Sequence, residues 1–113
     1  MNFLLCIAIC LTCTLNLAAQ QLFTTEWKQL IPSAALPAEI NCQNSNNNLD
    51  VVLFKGNYYV AFRTAPTHFA SSKTILYIIS STDFKTWKYE NAFSIGADMR
   101  EPRFVVFKDR LFF

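Results

Sequence analysis

Five side chains in this sequence are of types that could do chemistry if the fold gathered them. Asp50 and Glu101 stand at or just before the start of two apolar runs, residues 51–54 and 104–107. Two carboxyl groups held at a fixed separation can divide labour, one donating a proton and the other acting as nucleophile or base. Arg100 and Arg103 flank Glu101, and their positive charge favours its ionised form. Arg63 and Arg100 each offer a planar fork suited to a carboxylate or a pair of hydroxyls. His68 lies in Pro66-Thr67-His68-Phe69 with no second His or Cys at ligand spacing, so contact with a substrate is expected there, and metal binding is not. Each has a plainer reading beside it. Asp50 can be a strand-start residue that bonds a loop, and the arginines can be solvated strand ends.

The elements that must position these residues are strands. Residues 50–54, 58–63, 74–80 and 86–90 are apolar, aromatic or alternating, and 74–80 (Thr-Ile-Leu-Tyr-Ile-Ile-Ser) is the most strand-like. Lys55-Gly56-Asn57 supplies a tight turn, since Gly and Asn tolerate positive φ. Residues 64–73 form a longer loop containing Pro66, and 81–85 a short turn. Four strands joined in this way, with no helical period, predict an antiparallel meander. Tyr58 and Tyr59 must face opposite sides of it, and only one of them is expected in the core.

The opening of this unit recurs 53 positions later. Phe54-Lys55-Gly56-Asn57-Tyr58-Tyr59 lies over Phe107-Lys108-Asp109-Arg110-Leu111-Phe112, and Val51-Val52-Leu53 over Phe104-Val105-Val106. A repeat of roughly 40–50 residues with four strands in each copy is the signature of propeller blades. The expected fold is therefore all-β: one full four-stranded β-propeller blade and the start of a second. With the turns superposed, Glu101 falls opposite Asn48 and Arg103 opposite Asp50, so the two carboxylates differ in depth unless a bulge intervenes. The second unit stops at Phe113 inside its second strand, so the chain is expected to be the N-terminal part of a longer protein.

Three local patterns carry a family resemblance. Gly56-Asn57-Tyr58-Tyr59-Val60-Ala61-Phe62-Arg63 resembles the first-blade hairpin of sialidases. Ser81-Thr82-Asp83-Phe84-Lys85-Thr86-Trp87 resembles the Asp-box turn of the same enzymes, one residue shorter and without its Gly. It is also similar to the Ser-x-Asp-Leu-x-x-Trp turn of invertase- and arabinanase-like propellers. Arg100-Glu101-Pro102 resembles their Arg-Asp-Pro motif, with Glu for Asp. The resemblance covers residues 50–113 and implies a propeller glycoside hydrolase of the sialidase-like or five-bladed type. In that reading Asp50 and Glu101 are the catalytic carboxylates, while Arg63, His68 and Arg100 contact a carbohydrate substrate. No cofactor and no metal is implied. The alternative is a non-catalytic propeller that binds glycans or protein partners. The 81–87 turn is expected to be a folding element, with Asp83 and Ser81 accepting backbone N–H groups and Trp87 packing its ring.

The rest of the sequence bounds this reading. A net charge of +2 is too small to argue for nucleic acid. Residues 1–20 are expected to be a signal peptide: 3–17 is nearly all apolar and Leu17-Ala18-Ala19-Gln20 supplies small residues for cleavage. The run is too short for a stable membrane anchor, and the predicted location is secreted or periplasmic. Cys6, Cys10 and Cys13 fall inside that segment, which leaves Cys42 without an intrachain partner. Residues 21–49 are read as a leader, broken by Pro32 and Pro37, followed by an Asn-rich loop over 41–49 that either is solvated or forms the entrance to a site.

Overall fold

The computed structural model of the chain describes residues 26–113. The signal-peptide reading of 1–20 and the first residues of the leader lie outside the described residues. Four antiparallel strands form one sheet in sequence order: β1 (Ser45–Phe54), β2 (Asn57–Ala65), β3 (Ile75–Ser81) and β4 (Lys88–Phe93). A separate two-stranded ribbon follows, β5 (Val105–Phe107) and β6 (Arg110–Phe112). Among the described residues there is no helix, and none long and apolar enough to cross a membrane.

Both two-residue hairpin turns have positive φ at both central positions, +48° and +80° at Lys55 and Gly56, +44° and +59° at Lys108 and Asp109. That backbone matches the right-handed twist of the flanking strands, which is why it recurs in short hairpins. The ladders agree as well. Val52 pairs Tyr59, Leu53 pairs Tyr58 and Phe54 pairs Asn57, just as Val105 pairs Phe112, Val106 pairs Leu111 and Phe107 pairs Arg110.

The first strand starts earlier than the sequence suggested. Residues 45–49, expected in a loop, are part of β1, with Ser45 paired to Ala65, Asn46 to Thr64 and Asn47 to Arg63. Asn is a poor strand former, and the alternation is broken by a register shift between Asn47 and Asp50. The extra residue is taken up with Asn48 at φ +47°, a conformation Asn adopts more readily than most residues.

Both faces of the sheet are covered over β2 and β3, while Leu49, Val51 and Leu53 of β1 stay exposed. On one face Val60, Phe62, Tyr77, Ile79 and Trp87 form the buried core, under Leu30, Ile31, Leu36, Ile40 and Cys42 of the leader. Burial of each large apolar side chain contributes roughly 1.5–3 kcal/mol. The leader is held there by two small turns, Leu36 N–H to the Ser33 carbonyl at 3.4 Å and Ile40 N–H to the Pro37 carbonyl at 3.0 Å. Gln43 then fastens it, its N–H donating to Thr64 Oγ1 at 2.7 Å. On the opposite face, Phe104 meets Tyr59 edge-on with ring centroids 6.4 Å apart, and Phe113 stacks on Phe93 at 5.2 Å. Because both faces are covered, both tyrosines pack. Tyr58 lies 4.1 Å from the Phe84 ring on the leader side, and Tyr59 meets Phe104 on the hairpin side. Both are half-buried, and neither belongs to the fully buried core.

The turn between β3 and β4 forms the hydrogen bonds its sequence suggests. Asp83 Oδ1 accepts the N–H groups of Lys85 and Thr86, each at 2.8 Å, and Ser81 Oγ accepts those of Asp83 and Phe84 at 3.2 and 2.9 Å. These bonds hold the Asp83 carboxyl below its ordinary range, the Thr86 and Lys85 N–H groups contributing most. Trp87 leaves the turn directly into the core.

Candidate functional site

Arg63, His68, Arg100 and Glu101 are drawn together where the sheet joins the segment leading to β5, through Asn47, Asn48 and Asp98. The centre of the arrangement is Asp98. Its Oδ1 accepts from Arg63 Nη2 at 2.7 Å, from the Thr74 hydroxyl at 2.7 Å and from the Ser71 N–H at 3.2 Å. Its Oδ2 accepts from Arg100 Nε at 2.5 Å. The Arg100 guanidinium, then that of Arg63, then the Thr74 hydroxyl hold the Asp98 carboxyl far below the usual aspartate range. One carboxylate thus ties together the end of β2, the turn that starts β3 and the stretch before β5.

Arg63 is fully buried, at 0% exposure. Besides Asp98, its guanidinium donates to the Phe69 carbonyl at 3.0 Å and to Asn47 Oδ1 at 3.2 Å. The sequence marked Arg63 as a substrate contact; the side chain has no exposed surface with which to touch one. It sits under the 66–73 loop and the 98–103 segment because its place in β2 points it to the face that these segments cover. Its role here is positioning: it holds Asp98, which in turn holds Arg100.

Arg100 and His68 do come together. Arg100 Nη2 donates to the His68 carbonyl at 3.2 Å, and both residues are exposed. The His68 ring is itself oriented, with Nδ1 2.9 Å from Asn47 Nδ2. Since the Asn47 amide donates, Nδ1 accepts and the ring proton lies on Nε2, the nitrogen left for a ligand.

The two carboxylates stand on either side of the joint and are held differently. Glu101 is exposed, with φ at +53°. Its Oε1 accepts from the Asn48 side-chain amide and its Oε2 from Arg103 Nη2 at 3.3 Å. Asp50 is half-buried, and its Oδ2 accepts the Phe104 N–H at 2.7 Å. Asp50 therefore bonds the chain at the start of the second repeat, from within β1 and not from a strand start, while Glu101 faces Asn48, the residue it matches in the repeat.

Asp98, Asn47 and Asn48 complete the cluster, and sequence reasoning gave none of them a site role. Asp98 had only its position two residues before Arg100 to mark it. Its main partner is 35 positions away, and no local pattern encodes that pairing. The Asn-rich run was noted as a loop or site entrance, and two of its members supply amides to His68 and Glu101.

Other features take no part in this cluster, except that Asn47 also lines the smaller of two recesses. Two recesses, of about 790 and 400 Å³, open on the leader side around Leu30 and Phe84. Neither is lined by Asp50, Arg63, His68, Arg100 or Glu101. Burial pushes the Cys42 thiol up, away from the thiolate form a nucleophile needs. Among the described residues no three His, Cys, Asp or Glu gather as a metal site would require.

No protein-family model, curated protein or solved structure matches the chain.

Proposed function

We propose that the chain is the N-terminal part of a secreted or periplasmic carbohydrate-active β-propeller protein, a glycoside hydrolase of the sialidase-like or five-bladed type. The observation that carries this reading is Glu101. It is an exposed carboxylate on a residue in the left-handed region, gripped on both oxygens where the two repeats meet. A non-glycine residue in that conformation stores strain, and such strain collects where a side chain must be aimed. The repeat supports the propeller part of the reading, because positive φ recurs at three matched pairs: Asn48 and Glu101, Lys55 and Lys108, Gly56 and Asp109.

Glycoside hydrolysis adds water across the bond between the anomeric carbon and the leaving oxygen. Glu101, paired with Arg103 Nη2, is suited to the nucleophile or base role. Asp50 is the second carboxylate, with Oδ2 on the Phe104 N–H. Arg100 and the Nε2 of His68 orient sugar hydroxyls or a sugar carboxylate. Arg63 and Asp98 hold Arg100 in place.

A second reading, a propeller that binds glycans without cleaving them, is favoured by one observation. Asp50 is half-buried with Oδ2 already bonded to backbone, which leaves Glu101 as the one exposed carboxylate of the pair. The test is release of reducing ends from a panel of glycans, run beside binding of the same panel, for the protein and for Glu101→Gln. The hydrolase reading expects cleavage that falls by about a hundredfold or more in Glu101→Gln while binding persists. Binding without cleavage by either protein selects the second reading. Absence of both sinks the two together.

A further inference from the structure

The 66–73 loop has no regular structure of its own, yet its backbone is fastened at His68, Phe69, Ser71 and Lys73. The His68 carbonyl accepts from Arg100 Nη2 at 3.2 Å and the Phe69 carbonyl from Arg63 Nη2 at 3.0 Å. The Ser71 N–H donates to Asp98 Oδ1 at 3.2 Å, and the Lys73 carbonyl accepts from Gln43 Nε2 at 2.9 Å. What this fastening holds out into solvent is an aromatic ring: Phe69 is 78% exposed.

An exposed apolar residue standing alone is ordinary. Phe69 does not stand alone. Its ring meets the His68 ring edge-on, with centroids 6.3 Å apart, and His68 is the residue whose Nε2 is left for a ligand. Arg100 is bonded to the same loop one residue earlier. Nor does the next repeat account for the exposure. The stretch leading into that repeat already crosses this loop, Asp98 at Ser71 and Arg100 at His68, and Phe69 is still bare. The second repeat packs on a face of the sheet, Phe104 on Tyr59, whereas this loop joins the ends of β2 and β3.

A pyranose ring is amphipathic in a matching way. Its faces carry C–H bonds and its rim carries hydroxyls. The negative face of an aromatic ring attracts the C–H groups, and the hydroxyls need polar partners. We infer that Phe69 is a substrate-binding residue whose ring stacks on the C–H face of a pyranose while the sugar's rim hydroxyls reach His68 Nε2 and Arg100. This rests on the glycan reading above and supplies the apolar half of the recognition. A ring with two side-chain torsions, on a backbone already held, loses little freedom when it binds.

The test is titration calorimetry with oligosaccharides ending in glucose, galactose, mannose, N-acetylglucosamine, glucuronate or sialate, for the chain, Phe69→Leu and Phe69→Trp. Leucine keeps apolar bulk without an aromatic face, and tryptophan keeps the face and enlarges it. The ring lies outside the core, so thermal melts of both variants should match the parent. For a sugar the parent binds, Phe69→Leu should weaken binding by about tenfold or more, while Phe69→Trp retains it. Saturating the protein's aromatic protons by NMR should transfer magnetisation to C–H protons on one face of the bound sugar, and Phe69→Leu should abolish that transfer. Where the sugar is cleaved, the loss should appear in KM with kcat kept. Phe69→Leu binding as tightly as the parent, or Phe69→Trp failing alongside it, would overturn the inference and leave the glycan reading standing on Glu101. A melt that drops together with affinity would overturn it too, by making the ring structural. A chain that binds none of the panel overturns the inference and the glycan reading together.

Discussion

The two faces of the β1–β4 sheet are closed by different means. On the leader side, Phe62, Tyr77, Ile79 and Trp87 pack under aliphatic residues from a segment with no regular structure. On the hairpin side, the end of β2 buries a charge: Arg63 reaches Asp98, and small Ala61 and Ala65 beside it are fully buried. An apolar cover tolerates irregular backbone, because dispersion and water exclusion are not directional. An ion pair fixes angles and distances. The leader side therefore supplies most of the stability. The hairpin side holds one loop and one linker in register, and the candidate site is built on that register.

The largest effect that would sharpen the contrast is Phe62→Ala. Truncating this buried ring should cost about 3–5 kcal/mol, by transfer loss and cavity together. Denaturant unfolding measures it; a loss under about 1 kcal/mol would show that the leader is not a true cover.

The hairpin side should respond to acid instead. The Asp98 carboxyl is held below its ordinary value by Arg100 and Arg63, so its folded form binds a proton less readily than its unfolded form. Its stabilisation is fully present above about pH 4 and is lost as the pH falls toward the depressed folded value. Asp83, lowered by its own turn, adds to the same trend. Melting temperatures taken from about pH 5 down to about pH 2 should fall for the parent chain. Asp98→Asn should start lower and decline less steeply. Parallel curves would mean that Asp98 contributes nothing through its charge.

The smallest expected effect is in the hairpin that covers this side. Asp109 holds φ +59° where the matching residue is Gly56 at +80°. Asp109→Gly should relieve that backbone and stabilise the chain by up to about 1 kcal/mol. A destabilised variant would show that the Asp109 side chain has a task in the turn.

What the sequence made legible was local. The meander, the Lys55-Gly56 turn and the Ser81–Asp83 hydrogen bonds depend on neighbours within a few positions, and residue types declare them. The β1 start was not legible, because Ser45 to Asn48 are weak strand formers whose pairing to β2 is set by the far strand and broken by a bulge. Arg63 shows the limit most clearly. Alternation along β2 tells which face a residue takes, but not what covers that face. What covers Arg63 comes from the 66–73 loop and from Asp98, 35 positions on. The cluster was half visible for the same reason: its arginines, His68 and Glu101 stand out by residue type, while nothing local marks the aspartate that binds Arg63 and Arg100.

Glu101 carries a consequence for natural variation. A glutamate at φ +53° sits where glycine, asparagine or aspartate would be under less strain. Drift without selection should move that position toward those residues. Its counterpart Asn48, at φ +47°, already holds one of them and so marks where drift would lead. In homologous chains, a glutamate that persists while its surroundings change would record selection for the carboxylate itself. A slide to glycine would record a bend in the chain and nothing more.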